Sequence, residues 1–201
     1  MNDLFPKYGI KVQPFEIDFR HVFNREAPVV LEIGFGSSTT ILDFAKENLN
    51  INYLGVEVYS PAVGNILQHL SRSDIKNVKI IQYDATEVIE KMIPENSLQA
   101  VHIFFPDPWP KKRHIKRRLL KTSFLNLLSS KIHEKGYVHI STDCVNYYQF
   151  IKKETLESRF IIESSPKAEQ IKNLRPVTKF ETRGIKLGNK IYDLVLFKSI
   201  T

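Results

Sequence analysis

Five carboxylates recur at the ends of five apolar runs: Glu32 in VVLEIGF, Glu57 in YLGVEV, Asp84 in VKIIQYDA, Asp107 in HIFFPDP and Asp143 in HISTDC. Acids collected on one rim suit a ligand that brings positive charge and hydroxyl groups, and they repel a pyrophosphate. Between the first two lies Gly34-Phe35-Gly36, a turn that lets a ligand approach the backbone closely. The third glycine of the dinucleotide fingerprint is absent, because Ser38 follows. Glu57 comes twenty-five residues after Glu32, near the separation at which an acid on the second strand reaches a ribose diol. A cationic, phosphate-free nucleoside fits these residues.

The fourth acid has unusual company. In IFFPDPWPKKRHIKRR (103–118), Asp107 is locked between Pro106 and Pro108, and six lysines or arginines then fall in the eight residues from Lys111 to Arg118. The net charge of +7 is therefore concentrated rather than spread. A solvated helix face normally interleaves glutamates, and none occur here. A local basic patch is the electrostatic footprint for nucleic acid or an anionic membrane face. Lys111 lies nearest the rim, while Lys112, Arg113, Arg117 and Arg118 are further phosphate candidates. Trp109, between two prolines, is open to either stacking on a flipped base or packing in the core. Arg183 and Lys186 extend the positive surface.

The elements that must hold these residues alternate. Apolar runs at 28–35, 52–58, 78–85, 98–105 and 136–142 read as strands, and helical patterns follow at 37–49, 60–73, 86–93, 112–132 and about 144–157. Uniformly apolar strand interiors separated by helices predict a parallel sheet covered on both faces, a doubly wound α/β domain. Ligands of such sheets lie beyond the carboxyl ends of the strands, where the acids are. The runs 178–187 and 190–198, joined by Gly188-Asn189, read as a closing antiparallel hairpin.

LEIGFGSSTT, YLGVEV, QYDA, FFPDPWPKKRHIKRRL, STD and TKFE together resemble the motifs of the bacterial tRNA (guanine-N7-)-methyltransferase family, in order over about residues 29–197. Ser38 stands where that family often has glycine, and Pro106 where serine is common. The resemblance implies a Rossmann-like methyltransferase sheet, S-adenosyl-L-methionine as methyl donor and the guanine of the tRNA variable loop as acceptor. It implies cofactor contacts from Glu32, Glu57, Asp84 and Asp107 around the Gly34–Gly36 turn. It implies substrate contacts from Lys111, Asp143, Thr178, Lys179, Phe180 and Glu181. Guanine N7 carries a lone pair, so transfer to it needs in-line placement and tolerance of the charge developing on the purine, not a strong base. Asp107 or Asp143 is the carboxylate that supplies this tolerance, and Glu181 would grip the guanine N1–H and amino group.

Two other readings compete. A non-catalytic RNA-binding module would keep the basic run but has no need of acids on five strands. A nicotinamide-dependent oxidoreductase would show the full glycine fingerprint. Two hundred and one residues suit one domain, divided here into an arm (1–27) and the catalytic domain (28–201). With one cysteine and six scattered histidines, neither a disulfide nor a metal site is expected; His102 and His139 read as satisfied interior residues and Cys144 as a bystander thiol. No apolar run approaches a membrane span, and the first twenty residues lack the apolar stretch of a signal peptide. A cytoplasmic monomer or homodimer with tRNA as partner is the expectation.

Overall fold

The computed structural model describes residues 3–186 and 188–199, with the side chains of Lys179 and Phe180 outside that description. Two short helices, α1 (Phe5–Tyr8) and α2 (Phe19–Phe23), precede β1 (Val29–Ile33), α3 (Thr40–Glu47), β2 (Asn52–Val56), α4 (Ser60–Ser71), β3 (Val78–Ile81), α5 (Ala85–Met92) and β4 (Leu98–Phe104). A 3-10 segment at Lys112–Arg117 leads to α6 (Thr122–Lys131), β5 (Ile132–Thr142), α7 (Val145–Leu156), β6 (Phe160–Glu163), α8 (Pro166–Asn173), α9 (Lys179–Lys186) and β7 (Tyr192–Lys198).

The strands form one sheet in the order β3-β2-β1-β4-β5-β7-β6. β1 to β5 are parallel, and β7 runs antiparallel to both β5 and β6. Strand periodicity divides the core. Val29, Leu31 and Ile33 join a cluster with residues of α5, α6 and α7, whereas Val30 joins the opposite cluster with residues of α3 and α4. The connections between β1, β2 and β3 thus cover one face, and those flanking β4 and β5 cover the other. The winding reverses between β1 and β4, which leaves a crevice at the carboxyl ends of these two strands.

Residues ahead of β1 pack on this body. Gly9 bridges to Ile80 on the β3 edge, Ile17 N–H donates to the Met92 carbonyl (2.7 Å), and Tyr8 and Ile17 are buried. Arg25 donates to the carbonyls of Leu49 and Ile51 and to Asn52 Oδ1 (2.7, 2.9 and 2.6 Å), clamping the entry to β2.

The fold class expected from the sequence is present, with two corrections. The first concerns the end of the chain. Residues 179–186 are helical rather than extended, and β7 pairs with β5 and β6 instead of closing a hairpin with its immediate predecessor. Both ends of α9 explain why. Thr178 Oγ1 accepts from Glu181 N–H (3.0 Å) while Glu181 Oε2 accepts from Thr178 N–H (3.3 Å), a reciprocal capping box written as T-x-x-E. At the other end Gly188 (φ +80°) donates to Ile185 O and Asn189 to Gly184 O, both at 2.9 Å, the paired bonds of a Schellman stop. Gly188-Asn189 therefore ends a helix and does not turn a hairpin; Leu187, within the expected strand, lies outside the described residues.

The second correction is at 112–132, where no continuous helix forms. Like charges four apart (Lys112 with Lys116, Arg113 with Arg117) oppose an α-helix, and a short 3-10 segment forms instead. Arg118 then breaks away with an extended backbone and turns inward. Its Nε donates to the Pro108 carbonyl at 2.8 Å, and its guanidinium lies 5.0 Å from the Tyr147 ring centre and 4.7 Å from that of Phe150. Only 5% of Arg118 is exposed, so it cannot serve as the phosphate contact expected of it. It braces the Pro108 loop against α7. Arg118→Ala is expected to lose about 2 kcal/mol and to lower Tm by about 5 °C. Lys112→Ala and Arg113→Ala, both exposed, should leave Tm within about 1 °C. Thermal unfolding of the three variants checks the contrast.

Candidate active site

The crevice at the β1–β4 switch point is a cavity of about 580 Å³. Its lining includes Glu32, Gly34 and Gly36 at the end of β1, Glu57 just after β2, Asp84 after β3, and Phe104, Phe105 and Asp107 at and beyond the end of β4, together with Trp109, Arg117 and Thr178. Topology alone brings these together, because parallel strands deliver their carboxyl ends to one rim. Of the residues expected from sequence, Lys111, Asp143 and Glu181 do not line the cavity. Lys111, Lys112 and Arg113 are exposed around the 3-10 segment beyond its lip. The side chains of Lys179 and Phe180 lie outside the described residues.

Each acid of the cavity has a distinct environment. Glu57 holds the glycine turn: Oε2 accepts from Gly36 N–H (2.9 Å), and Oε1 accepts from Val58 and Tyr59 N–H (2.8 and 2.9 Å). Three of its roughly four acceptor positions are thereby filled, leaving one on Oε2 for a ligand hydroxyl. Gly34 (φ +69°) and Gly36 (φ +52°) have a backbone that disfavours side chains, and a Cβ at either would meet open space, so the turn is an open cradle. Asp84 caps α5, its Oδ1 accepting from Thr86 and Glu87 N–H at 2.8 and 3.1 Å. Its other oxygen makes no bond among the described residues.

Glu32 is different. It is 2% exposed, and its Oε2 has no hydrogen-bond partner among the described residues. Burial, reinforced by the charge of Asp43, pushes its carboxyl up to about 8, so the acid is neutral at physiological pH. An unpartnered buried oxygen beside the cradle marks a place where a ligand supplies the missing partner.

Asp107 stands on a strained loop. Phe105 (φ +53°) and Trp109 (φ +41°) both adopt the left-handed region, at a cost on the order of 1 kcal/mol each, and Phe105 N–H is tied to the Ser141 carbonyl at 2.8 Å. With Pro106 and Pro108 between them, the acid is presented at a fixed angle. Trp109 is half-buried at the cavity wall, where the Arg117 guanidinium lies 5.0 Å from its ring centre and the His114 ring meets it edge-on at 5.6 Å. This answers the alternative left by the sequence: the indole is a wall of the cavity and not part of the core. It also joins the basic run to the acid-lined pocket.

On the other side, Asp143 is exposed and its Oδ2 accepts from Asn189 Nδ2 (3.1 Å). Glu181 is buried and paired bidentately with Arg175 (2.6 and 2.8 Å), so its carboxylate is turned away from the position expected of a guanine-gripping group. Arg175 also reaches Asp193 (3.1 and 3.3 Å), which accepts in addition from Ser141 and from His139 Nε2 (2.8 Å). Burial opposes its charge, yet the hydrogen bonds from His139 and Ser141 and the charge of Arg175 bring the Asp193 carboxyl down to about 2. Desolvation in turn lowers His139, which donates as a neutral imidazole. His139 is the satisfied interior histidine expected, whereas His102, also neutral through burial, leaves Nδ1 without a partner among the described residues. Sequence reasoning did not find Arg175 or Asp193. The one signal was an acid near the start of an otherwise apolar terminal strand, YDLVLFK.

The fold and site define a methyltransferase of Rossmann-like α/β architecture. Among solved structures, the 16S rRNA methyltransferase KamB superposes with a TM-score of 0.65 at 11% identity, covering 94% of this chain and 96% of that one. An antibiotic-related methyltransferase gives 0.61 at 16%, covering 89% and 92%. The family model Methyltransf_4, described as "Putative methyltransferase", matches residues 26–194. Curated relatives include the tRNA (guanine-N(7)-)-methyltransferases of Methylobacillus flagellatus (41% identical over 97% of this chain and 82% of the relative) and Cupriavidus metallidurans (43%, over 98% and 77%). That of Buchnera aphidicola is 43% identical over 96% and 81%. The chain belongs to the tRNA (guanine-N7-)-methyltransferase family.

Glu32 gives a stability signature. The folded state keeps its proton up to about pH 8, whereas the unfolded chain releases it near 4.5. The folded state thus binds more protons across this window, and its contribution to stability is full below 4.5 and falls as pH rises to 8. Glu32→Gln removes that dependence. The Tm of the variant relative to the parent is expected to rise by about 5 °C or more between pH 5 and pH 8. A difference that is flat with pH, measured by calorimetry, would mean that Glu32 is ionised.

Proposed function

We propose that this chain transfers a methyl group from S-adenosyl-L-methionine to N7 of a guanine in tRNA, at the variable loop. The observation that carries this reading is the junction at Trp109, where the wall of an acid-lined cavity is continuous with a run of exposed cations. A donor-binding pocket and a phosphate-binding surface then share one lip.

The residues present fit the donor. The remaining acceptor position on Glu57 suits a ribose hydroxyl, the free oxygen of Asp84 suits an exocyclic amine, the unpartnered oxygen of Glu32 suits a hydrogen-bond donor of the ligand, and Asp107 suits positive charge. The open Gly34–Gly36 turn admits the nucleoside against the backbone. When bound, the donor supplies an activated methyl on a sulfonium centre. The protein's part is to hold the base in line with that methyl and to exclude water. N7 gives its lone pair and no proton leaves it, so no general base is required. As the purine becomes cationic, Asp107 from the rigid loop, or Asp143 across the rim, supplies the compensating negative charge. Lys111, Lys112, Arg113 and Arg117 contact phosphates, which position the RNA without reading its sequence. The division into an arm (1–27) and a catalytic domain (28–201) belongs to the same proposal, as does a cytoplasmic setting; no described helix is long and apolar enough to cross a membrane.

The test is methyl transfer from labelled S-adenosylmethionine to an unmodified tRNA transcript, followed by borohydride and aniline cleavage. One cut in the variable loop is expected. Incorporation without that cut would discard the N7 assignment, and absence of incorporation would discard the reading. Asp143→Ala is expected to lose transfer by about a hundredfold while binding S-adenosylhomocysteine as the parent does. Loss of that binding, measured by calorimetric titration, would place Asp143 on the cofactor side instead.

A further inference from the structure

Arg175 belongs to no element and lies just before Pro176, in the segment between α8 and α9. Its guanidinium is nonetheless engaged on every side. Two nitrogens grip the Glu181 carboxylate (2.6 and 2.8 Å), and two reach Asp193 on β7 (3.1 and 3.3 Å). Its plane lies 5.5 Å from the Phe104 ring centre and 5.8 Å from that of Phe105. Phe104 and Phe105 line the cavity and lead directly into the loop that carries Asp107. Glu181 is half of the capping box whose other half, Thr178, also lines the cavity. One side chain therefore packs on the Phe104–Phe105 wall of the reaction cleft and reaches Thr178 through Glu181, and Asp193, fixed by Ser141 and His139, anchors it to the sheet. The far end of α9 is tied as well, through the bond from Asn189 to Asp143.

We propose that Arg175 is a positioning residue for methyl transfer: its fork to Glu181 and Asp193, packed on Phe104 and Phe105, sets the spacing between the Asp107 loop and the Thr178 end of α9. This rests on the methyltransferase reading above. A planar fork is required, because a lysine ammonium presents no pair of parallel donors to each carboxylate. In this arrangement Glu181 acts on the substrate side through the helix it caps. Glu32, Glu57 and Asp84 make no bond to Arg175 among those described, and S-adenosylhomocysteine has no sulfonium charge for Asp107 to balance, so alignment and the binding of that product are separable.

Steady-state methyl transfer to a tRNA transcript, with the parent, Arg175→Lys, Glu181→Gln, the double variant and Asp193→Asn, tests this. Arg175→Lys is expected to lower kcat by tenfold or more, with the dissociation constant of S-adenosylhomocysteine changed less than threefold. The double variant should be no slower than Arg175→Lys alone, because both substitutions break one contact. Asp193→Asn should also lower kcat at unchanged donor affinity. A kcat within twofold of the parent for Arg175→Lys, or multiplicative losses in the double variant, would overturn the proposal. Should Arg175→Lys fail to fold, Glu181→Gln and Asp193→Asn, which keep the arginine, decide it in the same way: unchanged kcat in both overturns it. A parent enzyme that methylates no tRNA would instead overturn the functional reading beneath it.

Discussion

The reversal of winding between β1 and β4 is the constraint on which the rest depends. Parallel strands force every connection to cross over, and crossovers that leave in opposite directions cannot both cover the carboxyl ends of the two central strands. The crevice is therefore a product of topology, made before any side chain is chosen. The side chains give it character. Acids placed at successive strand ends meet there, and the glycine turn after β1 keeps the floor open. The antiparallel insertion of β7 beside β5 adds Asp193 behind the cleft, which the five parallel strands do not supply.

The site combines two electrostatic regimes within one chain. In the pocket, one carboxylate is almost wholly held by backbone amides, one caps a helix and one is buried and neutral. In the basic run, cations are left exposed and mutually repelling, in a conformation too short and irregular to be a stable helix. Trp109 lies at their junction, lining the pocket and packed against Arg117 and His114. An interior ion network around Arg175 is a third regime, in which every charge has a partner. Such a network serves uniqueness of geometry more than stability, since pairing only offsets desolvation.

Much of this was legible in the residues. The five acids and the glycine turn announce the rim, because strand ends in a parallel sheet share one edge, and the apolar runs announce the strands. Local signals with two meanings caused the misreadings. T-x-x-E and Gly-Asn read equally as strand and hairpin turn or as the two caps of a helix, and tertiary context selects the caps. Arg118 has the same composition signal as its neighbours; only the aromatic rings of Tyr147 and Phe150, distant in sequence, distinguish a brace from an exposed cation. β6, four residues long and half-exposed, has no period of its own and exists because β7 offers it a partner. Arg175, in a proline-bearing connection, reads as linker until the sheet brings Asp193 beneath it.

The placement of β7 between β5 and β6 has a consequence for biosynthesis. β6 has no other strand partner among the described residues, so its pairing waits until residues 192–198 have left the ribosome. Asp193 emerges at the same moment. The glycine turn and the acids at the ends of β1 to β4 are synthesised early, but the Arg175 network closes only once β7 has emerged. A nascent chain that has not yet exposed β7 therefore lacks the anchor for Arg175, and the emergence of β7 gates the assembly of this side of the cavity.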